Sequence, residues 1–204
     1  ARRQAGAEEV PAVLMIPLAR WFAHRGGGSL APDNTLAGIR LAARLGYKAV
    51  EFDVMLSGDG TPVLIHDETL ERTTNGRGRV CATPDAVLFA LDAGQGERIP
   101  RFAEAAALCR QLGLLANVEI KPASGHEART AEVVARMSGE LWRGAELPPL
   151  LSSFSLEALA VARDVAPAIP RGVLYEAPPA GWRAEFERLQ AFSLHCDGEL
   201  VDDA

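Results

Sequence analysis

The chain has 204 residues, 48% of them hydrophobic and 24% charged, which is the composition of an ordinary globular domain with a sizeable core. Its 21 basic and 27 acidic residues give a formal charge of −6. Because lysine and arginine form no run, the sequence predicts neither a nucleic-acid partner nor stable membrane association, since both reward clustered positive charge.

Residues 1–19 are predicted to be a lead-in segment, and residues 20–204 to form one domain. An apolar run at 10–19 follows two arginines and superficially resembles a secretory signal. The acidic pair Glu8-Glu9 interrupts that pattern, and the run leads directly into residues 21–24. No run approaches the roughly 20 apolar residues that a membrane span requires.

Three cysteines are widely spaced and form no CxxC motif: Cys81, Cys109 and Cys196. An odd and scattered set of cysteines is typical of free thiols in a reducing compartment. A cytoplasmic location is therefore expected.

Strand-like and helix-like segments alternate along the chain. Extended segments are predicted at 20–24, 49–55, 62–65, 114–120, 150–153, 171–175 and 191–195. Helices are predicted after Pro32-Asp33-Asn34-Thr35 as far as Gly46, and over 101–112, about 127–142, from a Ser155 cap to 165, and about 184–189. Residues of about 57–100 are rich in turn signals and read as an insertion, with a short helix opening at 83–85.

Alternation at this spacing predicts a parallel sheet with right-handed crossovers, either an open doubly wound sheet or a (β/α)8 barrel. Candidate chemical residues lie at the ends of three different strands, which is where barrels build their active sites. The glycines at 26–28 lack the GxGxxG spacing that usually marks the open sheet. The barrel is therefore favoured.

Two pairs of polar residues lie within strand-like apolar runs: Glu51 with Asp53, and Glu119 with Lys121. Side chains on a strand alternate between faces, so the members of each pair point the same way. Three carboxylates aimed into one space repel one another unless a cation lies between them, and a hard divalent cation with oxygen ligands is the natural candidate. With nearby histidines, an arginine and a lysine, the set suits phosphate-ester hydrolysis.

Several short motifs together resemble the glycerophosphodiester phosphodiesterase family, and are most similar to its bacterial cytosolic members. The resemblance is carried by residues 24–27 (HRGG), 32–35 (PDNT), 51–53 (EFD), 59–60 (DG), 66–67 (HD), 72–76 (RTTNG) and 119–121 (EIK), and by the later segments 151–154, 170–172 and 194–195. It covers roughly residues 20–204.

The resemblance implies a TIM (β/α)8 barrel of the phospholipase-C-like phosphodiesterase type, with a small insertion after strand 2. It implies metal-dependent hydrolysis of small-molecule glycerophosphodiesters to sn-glycerol 3-phosphate and an alcohol, with one Mg²⁺ or Ca²⁺ as cofactor. The implied roles are metal ligation by Glu51, Asp53 and Glu119, general acid/base catalysis by His24 and His66, and phosphate binding by Arg25 and Lys121.

Two departures from the family pattern stand out. Asp33 replaces the usual glutamate of the PENT motif, and only six barrel strands are found, so the last two are expected to be lacking. Two other functions are kept open: phospholipase-like cleavage of lipid head groups, which is the nearest alternative on the same barrel, and an inactive fragment that keeps the metal site, which the missing strands suggest. The sequence leaves the oligomeric state open.

Overall fold

A computed structural model describes residues 19–201 of the chain. The predicted lead-in, apart from its last residue, lies outside the described residues. Within the described range no helix is both long and apolar enough to cross a membrane. All three cysteines are free, as their scattered spacing predicted.

The centre of the molecule is a six-stranded sheet with the order β2-β1-β3-β4-β5-β6. Its strands are β1 (Ala49–Leu56), β2 (Pro62–Leu64), β3 (Leu115–Ile120), β4 (Leu150–Ser153), β5 (Arg171–Leu174) and β6 (Ser193–His195). Neighbouring strands from β1 through β3 to β6 are parallel, whereas β2 returns antiparallel to β1.

The described residues form six α-helices, of which the first precedes β1 and the others lie between later strands. They are α1 (Leu36–Arg44), α2 (Asp85–Leu88), α3 (Phe102–Leu112), α4 (Glu127–Leu141), α5 (Leu156–Val165) and α6 (Trp182–Arg188). The bounds agree with the sequence-based prediction to within about two residues, because caps and stops were legible. Thr35 and Ser155 accept the capping hydrogen bonds of α1 and α5, and Gly113 ends α3 in the left-handed conformation.

The predicted first strand, 20–24, is reduced to a single parallel bridge between Ala23 and Val50. Arg25 then takes a positive φ of 51° and Gly26 one of 83°, so the chain turns away before a ladder can extend. Counting this bridge as the first position, the described residues provide six parallel positions of a (β/α)8 barrel.

The two faces of the sheet have different chemistry. On β1, Val50, Phe52 and Val54 belong to the main hydrophobic cluster, into which helices α1, α3, α4 and α5 also pack. The intervening residues Glu51 and Asp53 therefore project to the opposite face, the inner one of a barrel. The helices bury the apolar side of each strand and leave the polar side for the site.

Residues 57–100, the predicted insertion, form a lobe beside the end of β1. A second hydrophobic cluster includes Met55, Leu70 and Leu88, all about 1% exposed or less. Within the lobe, Asp85 anchors the later residues to the β1–β2 turn, because its carboxylate accepts hydrogen bonds of 2.5 Å from the hydroxyls of Ser57 and Thr61. A lobe with its own core and these anchors holds its loops in a fixed position beside the sheet.

The Ser155 cap offers a test of the fold. Ser155 Oγ accepts a hydrogen bond of 3.1 Å from the Ala158 backbone N–H. Ser155→Ala is expected to lower the free energy of unfolding by about 1 kcal/mol, because a helix N–H loses its acceptor. Urea denaturation measures the change. Ser155→Asp, which keeps an acceptor oxygen, should lose much less, and equal losses in the two variants would contradict the cap.

Candidate active site

Three carboxylates from two adjacent strands meet on the inner face of the sheet. Asp53 pairs in register with Glu119, and Glu51 lies two residues before Asp53 on β1. One carboxylate oxygen from each of these three residues lies within 4.8 Å of the other two. The two strands predicted to carry the acidic residues thus bring them to one point.

Asp53 is the most enclosed of the three, at 1% exposure. The side chain of Asn34 holds it from both sides: Asn34 Nδ2 donates to Asp53 Oδ2 at 2.8 Å, and Asn34 Oδ1 accepts from the Asp53 backbone N–H at 3.0 Å. Asn34 has a φ of 57°, a conformation that asparagine tolerates better than most residues. Its amide fixes the position and orientation of the central carboxylate.

Glu51 and Glu119 are both held in unfavourable surroundings for a charge. Burial, with the Asp53 charge adding to it, raises the pKa of Glu51 to about 8 even though the Arg25 backbone N–H donates to Glu51 Oε2 at 2.9 Å. Burial and Asp53 also raise the pKa of Glu119. Glu51 Oε1 is buried with no hydrogen-bond partner among the described residues. An unpartnered buried oxygen within an acidic triad fits a divalent cation.

His24 and Arg25 reach the triad on a loop that runs beside β1. Backbone hydrogen bonds join Glu51 N–H to Ala23 O at 3.0 Å and Gly26 N–H to Glu51 O at 2.9 Å. They place His24 Nε2 3.8 Å from Glu51 Oε2 and Arg25 Nε 3.8 Å from Asp53 Oδ2. The His24 side chain is largely exposed, but desolvation by the groups beside it and the neighbouring Arg25 charge lower its pKa.

The loop also packs closely against the start of α1. A Cβ on Gly38, in the first turn of α1, would lie 2.9 Å from the Gly27 backbone nitrogen. Only glycine permits this approach. The helix and the loop therefore hold each other in place.

His66 follows β2, and its Nδ1 lies 2.6 Å from Asp67 Oδ1. The preceding residue, Ile65, donates its backbone N–H to the Asp53 carbonyl oxygen at 3.2 Å. This hydrogen bond brings His66 to the same end of the sheet as the triad. The contact with Asp67 favours a proton on Nδ1 and leaves Nε2 free of that carboxylate.

Lys121 follows β3 directly and lies beside Glu119 and Asp53. Its Nζ is 3.2 Å from Glu119 Oε1 and 3.7 Å from Asp53 Oδ1, and 5.8 Å from the centre of the Phe154 ring. With Arg25, it supplies one of two cationic side chains that touch the triad. The cluster therefore combines three acidic groups with positive charge at its edges.

Two cavities adjoin the triad. One, of about 270 Å³, is lined by residues that include Glu51, His24 and His195. The other, of about 400 Å³, is lined by residues that include Glu119, Lys121 and Phe154. Together they give open space on two sides of the carboxylates.

The structure brings six of the seven residues that the sequence singled out into one cluster and places the seventh, His66, at the same end of the sheet. It also adds two residues that the sequence did not single out. Asn34 was interpreted only as part of a helix start, and Arg72 only as part of a motif. Arg72 binds the Asp67 and Asp33 carboxylates at 2.6–3.0 Å. Asparagine tolerates a positive φ better than most residues, so its residue type before the helix start was the only signal that the sequence offered for Asn34. Nothing in the local sequence signalled Arg72.

Comparison with known proteins gives a consistent result. A family model described as the glycerophosphoryl diester phosphodiesterase family matches residues 24–204. A glycerophosphodiester phosphodiesterase of Caldanaerobacter subterraneus is 35% identical over 186 residues, which cover 85% of this chain and 74% of that protein. Human glycerophosphodiester phosphodiesterase 1 is 38% identical over 125 residues, which cover 57% of this chain and 37% of the human protein.

Solved structures agree. A phosphodiesterase of Oleispira antarctica, in complex with the product sn-glycerol-3-phosphate, matches with a TM-score of 0.83 and 42% identity, over 89% of this chain and 76% of that one. A glycerophosphodiester phosphodiesterase of Thermotoga maritima matches with a TM-score of 0.69 and 26% identity, over 86% of this chain and 72% of that one.

The raised pKa of Glu51 predicts a particular pH dependence for the metal-free protein. Between the ordinary value of 4.5 and about 8, the folded state holds a proton on Glu51 that the unfolded state has lost. Stability should therefore fall as the pH rises through this window. Glu51→Gln cannot ionise, so its melting temperature should fall less than that of the wild type.

Thermal melts with a chelator, from pH 5 to pH 8.5, measure this difference. If the melting temperatures of the wild type and Glu51→Gln changed equally with pH, the raised pKa of Glu51 would be contradicted. Adding a divalent cation at the alkaline end should stabilise the wild type and not Glu51→Gln, because a cation that binds only the folded state raises stability by mass action.

Proposed function

This chain belongs to the glycerophosphoryl diester phosphodiesterase family, and from that premise we propose that it hydrolyses glycerophosphodiesters to sn-glycerol 3-phosphate and an alcohol. The barrel fold class and the enzyme class predicted from the sequence are confirmed by the family match and the solved neighbours. The observation that carries the proposal is the convergence of Glu51, Asp53 and Glu119 within 4.8 Å of one another.

In this proposal Glu51, Asp53 and Glu119 hold one divalent cation, Mg²⁺ or Ca²⁺. The oxygen-only donor set and the unpartnered Glu51 Oε1 support a hard cation. When bound, such a cation supplies Lewis-acid stabilisation of negative charge on the phosphoryl group. Asn34 contributes by holding the Asp53 carboxylate in one orientation.

Arg25 and Lys121 are proposed to bind the substrate phosphate. Arg25 Nη1 donates a hydrogen bond to Asp33 Oδ2 at 2.8 Å. Arg25 Nε, in contrast, is buried with no hydrogen-bond partner among residues 19–201. Lys121 brings its ammonium group to the other flank, beside Glu119. A phosphodiester anion between them would meet positive charge from two directions.

His24 and His66 are proposed to transfer the protons. One must accept a proton from the nucleophile and the other must donate one to the departing alcohol oxygen, because an alkoxide leaves poorly. His66 is oriented by Asp67 through Nδ1. His24 Nε2 lies 3.8 Å from Glu51 Oε2; desolvation by neighbouring groups and the Arg25 charge lower the pKa of His24 and so favour its neutral form, although 70% of the side chain is exposed. The neutral form suits the general base, so His24 is assigned that role and His66 the acid.

The inserted lobe favours small, soluble substrates over phospholipids. Among residues 57–100, all of which are described, Val87 is the one large hydrophobic side chain that is exposed. A phospholipase-like enzyme would benefit from an exposed apolar wedge at the membrane, and this lobe does not present one. The cytoplasmic location stays a prediction.

The purified chain is expected to release sn-glycerol 3-phosphate from glycerophosphocholine, and to lose this activity when a chelator removes divalent cations. A coupled assay for the product measures the rate, with phosphatidylcholine vesicles as the competing substrate. Faster turnover of the lipid would favour the phospholipase-like function. Cation binding by calorimetry without any turnover would favour the inactive fragment.

His24→Ala and His66→Ala are each expected to lower kcat by at least about 100-fold, the usual scale for a general acid or base. His126→Ala is the matched control, since His126 lies in the turn before α4 and outside the site. Its kcat should stay at the wild-type value. A loss at His24 or His66 no larger than that of the control would remove that residue from the mechanism.

A further inference from the structure

Arg72 projects from the inserted lobe between two carboxylates that belong to different parts of the site. Its Nε and Nη2 donate to Asp67 Oδ2 and Oδ1 at 2.6 and 2.9 Å, a two-pronged contact. Its Nη1 donates to Asp33 Oδ2 at 3.0 Å. Each of its three nitrogens is thus engaged by protein, so the side chain is arranged to hold its neighbours and not to bind the substrate.

One branch of this contact ends at His66. Asp67 accepts from Arg72 and from His66 Nδ1 with the same carboxylate. The hydrogen bonds from Arg72, reinforced by His66, lower the pKa of Asp67 and keep it ionised. A carboxylate fixed by a two-pronged guanidinium cannot rotate away from the imidazole, so the ring orientation of His66 depends on the arginine.

The other branch ends at Arg25. Asp33 Oδ2 accepts from Arg72 Nη1 at 3.0 Å and from Arg25 Nη1 at 2.8 Å, so one oxygen joins the two guanidinium groups. Although partial burial of Asp33 opposes ionisation, the hydrogen bonds from the two arginines lower its pKa. The shared oxygen sets where the Arg25 guanidinium lies relative to the triad.

We propose that Arg72 is a positioning residue that aligns His66 through Asp67 and Arg25 through Asp33. The role rests on the proposed function, because His66 and Arg25 are its proposed acid and phosphate ligand. Arg72 lies in the inserted lobe, whereas Arg25 and Asp33 precede β1. The guanidinium therefore couples the position of the lobe to both parts of the proposed chemistry.

The geometry requires arginine. A lysine at this position has one nitrogen and a single point charge, so it can engage Asp67 or Asp33 but cannot reproduce the two-pronged contact and the bridge together. Arg72→Lys should therefore keep part of the effect, and Arg72→Gln should keep none.

The experiment compares Arg72→Gln and Arg72→Lys with Arg79→Gln. Arg79 is the matched control: it lies in the same lobe, is similarly exposed and pairs with Glu68 at 2.9 Å. Arg72→Gln is expected to lower kcat by about 10- to 100-fold and to raise KM, because small misplacements of catalytic groups cost rates of this order. Arg72→Lys should fall between the two, and Arg79→Gln should match the wild type.

Separate variants of the two carboxylates divide the effect. Asp67→Asn should lower kcat with little change in KM, and Asp33→Asn should mainly raise KM, since the first affects the proton-transfer group and the second a binding group. Adding Arg72→Gln to Asp67→Asn should cost little more in kcat, because both substitutions disrupt one contact.

A second readout needs no turnover. Nitrogen-15 NMR of the histidine rings, recorded at a pH alkaline enough for the imidazoles to be neutral, reports whether the remaining proton of His66 lies on Nδ1, as the contact with Asp67 favours. Arg72→Gln should shift this signal toward a mixture of tautomers, and Arg79→Gln should leave it unchanged. If the wild type hydrolyses no glycerophosphodiester, the proposed function fails while the NMR comparison still tests the positioning.

The inference would be overturned if Arg72→Gln kept the kcat and KM of the wild type. A loss of kcat with an unchanged His66 signal would overturn it too, since the arginine would then not align His66 through Asp67. Should Arg72→Gln not fold, as judged by its melting temperature, the Arg72→Lys comparison of kcat and ring signal decides in the same way.

Discussion

The mutual repulsion of three carboxylates on a buried face is the constraint around which this molecule is arranged. Glu51, Asp53 and Glu119 converge in a space where water cannot fully screen their charges, and two of the three have raised pKa values as a result. Such a cluster is costly to fold unless it is compensated. Its neighbours supply the compensation: an asparagine amide, a backbone N–H, an arginine and a lysine.

Much of this was legible in the sequence because it depends on local patterns. The alternation of side chains on a strand put Glu51 and Asp53 on one face, and parallel neighbours brought Glu119 to the same level. The Ser155 cap and Gly113 marked the ends of their helices correctly. The assignment of the seven site residues to roles rested on the family resemblance, and their roles stay proposals.

What the sequence did not show depends on contacts between distant residues. The predicted strand at 20–24 makes only one bridge among the described residues, because the backbone adopts a positive φ at Arg25. Arginine does not favour that conformation, so nothing in the sequence indicated it. Arg72 meets its partners 5 and 39 positions away, and no periodicity marks such a pairing. The sequence thus predicted the acidic centre better than the hydrogen bonds that orient it.

The contact between Gly27 and Gly38 has a consequence for redesign. A Cβ on either glycine would clash with the backbone of the other. The loop that presents His24 and the first turn of α1 are therefore packed together as one rigid piece. Transplanting the loop into another scaffold without the helix would discard the surface that shapes it. A library that randomised either glycine would mostly sample misfolded loops. Substitutions meant to vary the site should therefore be made at other residues that line its cavities.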